Sequence, residues 1–296
     1  MTKATTRLRQ LLASGNLLMA PGASDAVTAR LVAQKGFDAI YMSGAGTCAI
    51  RLGQPDTGVI TLTEMAENAQ NIAAASGLPL ISDADDGFGG VMNVMRTVRR
   101  FEQAGVAAIH IEDQMLPKRC GHFSGKAIVP VEEMVAKIRA AMAARTDPDF
   151  MIIARTDALA VEGFEAALKR AKTYADAGAD AIFVEAPTEM EQIARIPKAF
   201  SCPAIFNMAS SGKTPFLHKD EIAQLGFKIA IYPIFTLLAA VKAASRTLDT
   251  LKADGSAKNL VGEIATFREF FTLLGLEEVQ ALEKQFGVSA ERQARF

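Results

Sequence analysis

Asp83, Asp85 and Asp86 stand within four positions of one another, after the apolar run Leu80-Ile81-Ser82 and before Gly87-Phe88-Gly89-Gly90. In extended backbone Asp83 and Asp85 point the same way, so their carboxylates can converge on one cation. Glu112, at the end of the next apolar run, and Asp56 bring further carboxylates. An all-oxygen donor set with no histidine nearby suits a hard ion. Few carboxylates with room for water favour Mg2+ over Ca2+, with Mn2+ as a substitute. The competing reading is an Asx-turn with solvated acids, ordinary chemistry after a strand. Zinc is disfavoured, since the chain has three histidines and no ligand-spaced Cys/His cluster.

The second reactive group is Lys118-Arg119-Cys120-Gly121-His122-Phe123-Ser124-Gly125-Lys126. It lies in a loop of about 17 residues between Glu112 and a helical pattern that opens at Pro130, and loops of that length are often functional lids. A cysteine among Lys118, Arg119 and His122 sits in positive potential, which stabilises thiolate and tunes the group for proton exchange. The alternative is a basic surface loop with an incidental thiol.

Other motifs carry less. Ser43-Gly44-Ala45-Gly46-Thr47-Cys48-Ala49 contains the G-x-G-x-x-A dinucleotide pattern. It follows the second apolar run instead of opening the fold, shows no clear helix start, and has no acid ending the following strand at the expected distance. Its glycines can still present backbone N–H groups to a carboxylate. His110 alternates with core residues and reads as a packed structural histidine, His218 as a surface residue, and Cys48 and Cys202 as small core fillers.

Eight short apolar runs are strand candidates: Leu17–Pro21, Ala39–Ser43, Leu78–Asp83, Ala107–Glu112, Phe150–Arg155, Ala181–Glu185, Ala204–Asn207 and Ile229–Pro233. Helical patterns at Glu64–Ala75, Asn93–Ala104, Pro130–Ala144, Phe164–Ala177 and Lys219–Leu225 separate them, several running into glycine. Eight strand–helix alternations in one chain favour a closed (β/α)8 TIM barrel over an open sheet. Barrel sites form where strands end, and the ends here are Ser43, Asp83 with Asp85, Glu112 with Asp113, Arg155, Glu185, Asn207 and Pro233. Residues 1–240 are expected to form the barrel and 241–296 a helical extension. Phe235–Leu251 reads as one helix and Asn259–Phe286 as more helix, with enough apolar surface to pack on another subunit.

The composition narrows the function. A formal net charge of −1 over 296 residues offers no basic excess for nucleic acid. No apolar run approaches the roughly 18–20 residues of a membrane span, and the polar N-terminus lacks a signal core. Three scattered cysteines leave one unpaired, which fits a reducing compartment and a cytoplasmic enzyme.

At Asp83-Ala84-Asp85 with Gly87-Phe88-Gly89-Gly90, Ile109-His110-Ile111-Glu112-Asp113-Gln114, and Lys118-Arg119-Cys120-Gly121-His122, the chain resembles the isocitrate lyase/phosphoenolpyruvate mutase superfamily. Ala154-Arg155-Thr156-Asp157-Ala158 and Phe183-Val184-Glu185-Ala186 extend the likeness to nearly the whole chain. The resemblance implies a barrel that exchanges its last helices within a homotetramer. It implies Asp83 and Asp85 as Mg2+ ligands, with Glu112 and Asp56 acting through water. Ser43, Gly44 and Ala45 would bind a pyruvate-like carboxylate with Tyr41 beside it. Arg155, Glu185 and Asn207 would line the pocket, with Gly121, His122 and Pro233 at the substrate and Cys120 as general acid on the loop. Cys120, Arg155, Glu112 and Tyr41 are the catalytic candidates.

The implied reaction breaks a carbon–carbon bond in a 2-hydroxy dicarboxylate, releases pyruvate and protonates the carbanion left on the second carboxylate. Methylisocitrate lyases typically carry Arg where Phe123 stands. The stretch Asn207–Pro215 looks more like the dimethylmalate lyase and petal death protein branch. Both departures favour an alkylated malate over a tricarboxylate. Asp86 replaces a usual Thr, adding a charge of no evident effect. The alternatives are a carboxyphosphonoenolpyruvate phosphonomutase, a 2-methylisocitrate lyase, an oxaloacetate hydrolase or decarboxylase, and a non-enzymatic acid-binding barrel.

Overall fold

The computed structural model describes residues 2–121, 123–210 and 213–294. Its strands are β1 (Leu18–Pro21), β2 (Ile40–Met42), β3 (Leu80–Asp83), β4 (Ala108–Glu112), β5 (Met151–Thr156), β6 (Ala181–Val184), β7 (Ala204–Asn207) and β8 (Ile229–Tyr232). All pair in parallel, in the order β1-β8-β7-β6-β5-β4-β3-β2. The β1–β2 seam is closed by a bridge between Gly22 and Tyr41 and by the Ala23 N–H donating to the Tyr41 carbonyl at 2.9 Å. The architecture is a (β/α)8 barrel.

Period-two alternation explains why these runs form a barrel rather than an open sheet. Leu18 and Ala20, Met151 and Ile153, Ala181 and Phe183, and Ile229 and Ile231 turn inward into one buried cluster. The intervening Ile40, Met42, Ile109, Ile111, Ile152, Ile182 and Phe206 turn outward into a larger cluster under the helices. The helix α1 (Ala4–Ala13) closes the bottom, with Leu8 fully buried against the inner cluster.

Further helices are α2 (Ala26–Gln34), α3 (Gly44–Leu52), α4 (Leu62–Ser76), α5 (Val91–Gln103), α6 (Val131–Ala144), α7 (Leu159–Glu162), α8 (Phe164–Asp176), α9 (Met190–Arg195) and α10 (Lys219–Leu225). The five glycines at which helices stop before a strand, Gly36, Gly77, Gly105, Gly178 and Gly226, all take positive φ.

Two readings are corrected. A helix does start in the glycine-rich motif: Ser43 caps α3, its Oγ accepting the Gly46 N–H at 2.9 Å. The pattern was obscured by two glycines at helical positions, where intrinsic propensity is poor. The stretch 259–286 is α-helical only in part. It breaks into α12 (Phe267–Leu273) and α13 (Leu276–Gln285), with left-handed Gly275 between them.

The chain divides into two compact units, Met1–Leu237 and Leu238–Phe296, with the boundary inside α11 (Phe235–Asp254). The second unit exposes Leu238, Val241, Leu248, Phe267, Phe270 and Leu282. No helix among the described residues is long and apolar enough to cross a membrane.

Candidate active site

Register brings the chemistry to one rim. Asp83 pairs with His110 across β3–β4, and Glu112 with Arg155 across β4–β5. These strand ends open on a cavity of about 220 Å³ lined by Tyr41, Ser43, Ala45, Asp56, Asp83, Cys120, Gly121, Phe123, Arg155, Glu185, Asn207, Ala209, Ser210, Pro233 and Ile234. Its size suits a small acid better than a drug-sized ligand. A larger hollow of about 600 Å³ at the opposite end, beside Lys3, Arg99, Glu102 and Asp147, contains none of the buried side-chain atoms left without hydrogen-bond partners among the described residues.

The acids do not meet through strand alternation. β3 ends at Asp83, and Asp85 takes left-handed backbone, φ 46°, a conformation rare outside glycine. This turn still brings the two carboxylates together. A Cβ on Gly44 would lie 2.9 Å from Asp83 Oδ2 and 3.1 Å from Asp85 Oδ1, so only glycine leaves room here. The Gly44 N–H donates to Asp83 Oδ2 at 3.0 Å. That N–H is therefore directed at an acid of the protein, whereas the first-turn N–H of Ala45 has no carbonyl to bond within α3.

Lys118 is the residue whose role sequence reasoning misplaced. Its ammonium turns away from the surface to lie 2.7 Å from Asp56 Oδ1 and 2.6 Å from Asp85 Oδ1, with its side chain 2% exposed. Lys118 thus forms a buried ion pair with both acids and hydrogen-bonds to Asp85. Burial pulls the Lys118 ammonium down, but Asp85, Glu112, Asp83 and Asp56 together raise it well above the usual lysine range. Burial pushes the Asp85 carboxyl up, with Asp83 and Asp56 adding to the shift and Lys118 opposing it. Burial also raises Asp83, yet His110, Lys118, Arg155 and the Gly44 N–H bring it below the usual carboxylate range.

His110 is packed and buried, as expected, but it stands against the acids rather than apart from them. Nε2 lies 2.7 Å from the Tyr41 hydroxyl, the two rings stack, and Nδ1 faces Asp83 Oδ1 at 3.6 Å. Burial lowers the imidazole to about 4 against the pull of Asp83, and burial raises Tyr41.

Arg155 occupies the centre of the rim. It meets Asp157 through Nε at 2.9 Å and Nη2 at 3.2 Å, and Glu112 Oε2 at 3.3 Å. The Asn207 amide donates to Glu185 at 3.2 and 3.3 Å. Burial raises Glu112, with Arg155 opposing. Asp113 faces away from the cavity, accepting from the Thr156 and Tyr174 hydroxyls at 2.7 and 2.9 Å. On the loop, the Cys120 N–H donates to the Asp56 carbonyl at 3.2 Å, and Gln114 clamps Arg119 N and O at 2.9 and 2.8 Å. His122 lies outside the described residues. Asp157, Lys126 and Ser210 were missed as contributors; Asp157 was legible as the acid two residues after Arg155, a spacing that returns its carboxylate to the guanidinium.

The residues fit a hard dication in donor chemistry. Glu112 Oε1 is buried without a hydrogen-bond partner, and among the described residues the carboxylates of Asp56, Asp83, Asp85, Glu112, Asp157 and Glu185 meet Lys118, Lys126, Arg155 and His110. Among the described residues no three of His, Cys, Asp and Glu form a ready-made cage for a metal ion.

A model of the phosphoenolpyruvate phosphomutase family matches residues 8–252. The chain is 46% identical to 2,3-dimethylmalate lyase of Eubacterium barkeri, covering 95% of this chain and 97% of that one. It is 44% identical to 2-methylisocitrate lyase of Shewanella oneidensis, over 91% and 92% of the two chains. A crystal structure of 2,3-dimethylmalate lyase, a PEP mutase/isocitrate lyase superfamily member, superposes with a TM-score of 0.94 at 38% identity, covering 100% of this chain and 99% of that one. Phosphonopyruvate hydrolase in complex with oxalate and Mg++ superposes with a TM-score of 0.86 at 32% identity, over 96% and 99%.

The charge of Asp86 has a partner on α6. Lys137 Nζ lies 3.3 Å from its Oδ2 and donates to its carbonyl at 3.0 Å, and both residues are 3% exposed. The pair ties the turn that carries Asp85 to the helix layer. Lys137→Met, which leaves Asp86 buried and uncompensated, should cost about 3 kcal/mol in urea unfolding, and adding Asp86→Thr should recover most of it. Strictly additive losses would show that the two groups are not coupled.

Proposed function

The chain belongs to the isocitrate lyase/phosphoenolpyruvate mutase superfamily as a carbon–carbon lyase, and from that premise we propose that it cleaves a 2-alkylmalate, such as 2,3-dimethylmalate, to pyruvate and a second carboxylate. One observation carries this reading. Cys120 and Gly121 of the long loop line the same small cavity as Asp83, Arg155, Glu185 and Asn207 at the strand ends. A thiol acid thus faces charged groups across a space of small-acid size.

The roles follow from position. Ser43 and Ala45, at the start of α3, receive the carboxylate next to the 2-hydroxyl, with Gly44 backing them and Tyr41 beside. Asp83 and Asp85 would hold Mg2+, with Asp56 and Glu112 helping through water, and the bound ion would supply Lewis acidity at the 2-hydroxyl and its carboxylate. The 2-hydroxyl passes its proton to a carboxylate of the rim, the bond between C2 and C3 breaks, and C2 becomes the pyruvate carbonyl. The electron pair passes to C3 and its carboxylate, where Arg155 stabilises it, with Glu185 and Asn207 ordering that side of the pocket. Cys120 gives its proton to C3 while the loop, with Gly121, keeps water from competing. Phe123, Ala209, Pro233 and Ile234 contribute apolar wall, which accommodates an alkyl substituent and offers no cation to a third carboxylate. The same argument weighs against the second reading, a methylisocitrate lyase, which the likeness to the Shewanella enzyme favours.

The exposed apolar residues of the C-terminal unit are read as a face covered by neighbouring subunits in a homotetramer. Light scattering should find four chains per particle, and a monomer would contradict it.

A coupled pyruvate assay with Mg2+ across alkylmalates, methylisocitrate, oxaloacetate and phosphonopyruvate should give the highest kcat/KM with an alkylmalate. Cys120→Ala should lower its turnover at least about a hundredfold with the fold intact, and wild-type turnover would refute the acid assignment. Asp85→Ala should abolish both activity and its dependence on metal. Full wild-type activity in EDTA would rule out the metal.

A further inference from the structure

We propose that Lys126 is a positioning residue, a strut that seats the peptide following Cys120 against the carboxylate that orients Arg155. Its ammonium donates to the Gly121 carbonyl at 2.6 Å and to Asp157 Oδ1 at 2.7 Å. Its side chain is 2% exposed and that of Asp157 fully buried, so the charge is out of water and fixed by its acceptors.

Asp157 is itself rigidly held. Its N–H donates to Asp113 Oδ1 at 2.9 Å, and Asp113 is pinned by the Thr156 and Tyr174 hydroxyls. The same Asp157 carboxylate takes Arg155 in a two-point contact. One side chain therefore sets the guanidinium in the cavity and, through Lys126, the height of the loop above it. The loop rests closely on that guanidinium. A Cβ on Gly121 would overlap Arg155 Nη2 and lie 2.7 Å from Glu185 Oε1. Lys118 and Gln114 also tether the loop, but to Asp56, Asp85 and Arg119. Among the described residues, Lys126 alone joins the loop to the carboxylate that holds Arg155.

The inference rests on reading Cys120 as the chemical group of the loop, and its test needs no substrate. Wild type, Lys126→Met and Lys126→Arg are alkylated with iodoacetamide, and the Cys120 peptide is quantified by mass spectrometry against those of Cys48 and Cys202. Lys126→Met should raise the Cys120 rate about tenfold with the other two unchanged, and Lys126→Arg should stay within threefold of wild type. With an alkylmalate, Lys126→Met should lower kcat by about ten- to a hundredfold, the scale of an ångström-sized misplacement, with KM changed less than threefold. Lys126→Gln, which keeps a donor without the charge, replaces the Met variant if that chain fails to fold, with the same direction expected. Wild-type alkylation of Cys120 in the uncharged variant would overturn the strut, whatever the substrate proves to be.

Discussion

The organising constraint is an excess of buried negative charge at one rim of the barrel. Isolated carboxylates out of water either take up protons or find cations. Here Asp85, pushed up by burial, lies 2.6 Å from Lys118, whereas Asp83 is brought below the usual carboxylate range by His110, Lys118, Arg155 and the Gly44 N–H. The chain supplies Lys118 to one side of the cluster and Arg155 to the other, and neither is enough to neutralise it. The remaining demand for positive charge is what makes the rim a binding site for a hard dication and for the polar end of a small acid.

The barrel makes such a concentration affordable by spreading its anchors. Asp83 and Asp85 leave β3, Glu112 leaves β4 and Glu185 leaves β6, and each strand is fixed on both sides by parallel neighbours and by apolar contacts on both faces. The backbone at Asp85 stays in an unfavourable conformation because its surroundings leave no alternative: α3 crowds it through Gly44, Lys118 reaches it from the loop, and Asp86 is bound to α6. Glu112 and Arg155 need no such device, since register alone sets them side by side.

Most of the scaffold was legible in the sequence because barrel strands repeat one simple pattern. Apolar runs of four to six residues bounded by Gly, Pro or Asp located all eight strands within two residues of their ends, and polar residues at those ends marked the rim. Short helices such as α7 and α9, and α3 with its two glycines, were not legible, since packing against the barrel rather than local propensity forms them. At the site, residue types were readable and directions were not. Lys118 looked like a neighbour of the thiol because it is close in sequence, whereas the pull of Asp56 and Asp85 turns it inward. His110 looked remote from the acids because it belongs to another strand, whereas parallel pairing sets it opposite Asp83.

The central claim is that acids on the rim and a thiol on the loop act on one ligand in one cavity. The most direct measurement is a crystal structure of the protein soaked with Mg2+ and oxalate. The account requires the ion against Asp83 and Asp85, oxalate between it and Arg155, and the Cys120 thiol facing the ligand. An ion and oxalate bound elsewhere, or a Cys120 thiol turned to solvent with the ligand in place, would contradict it.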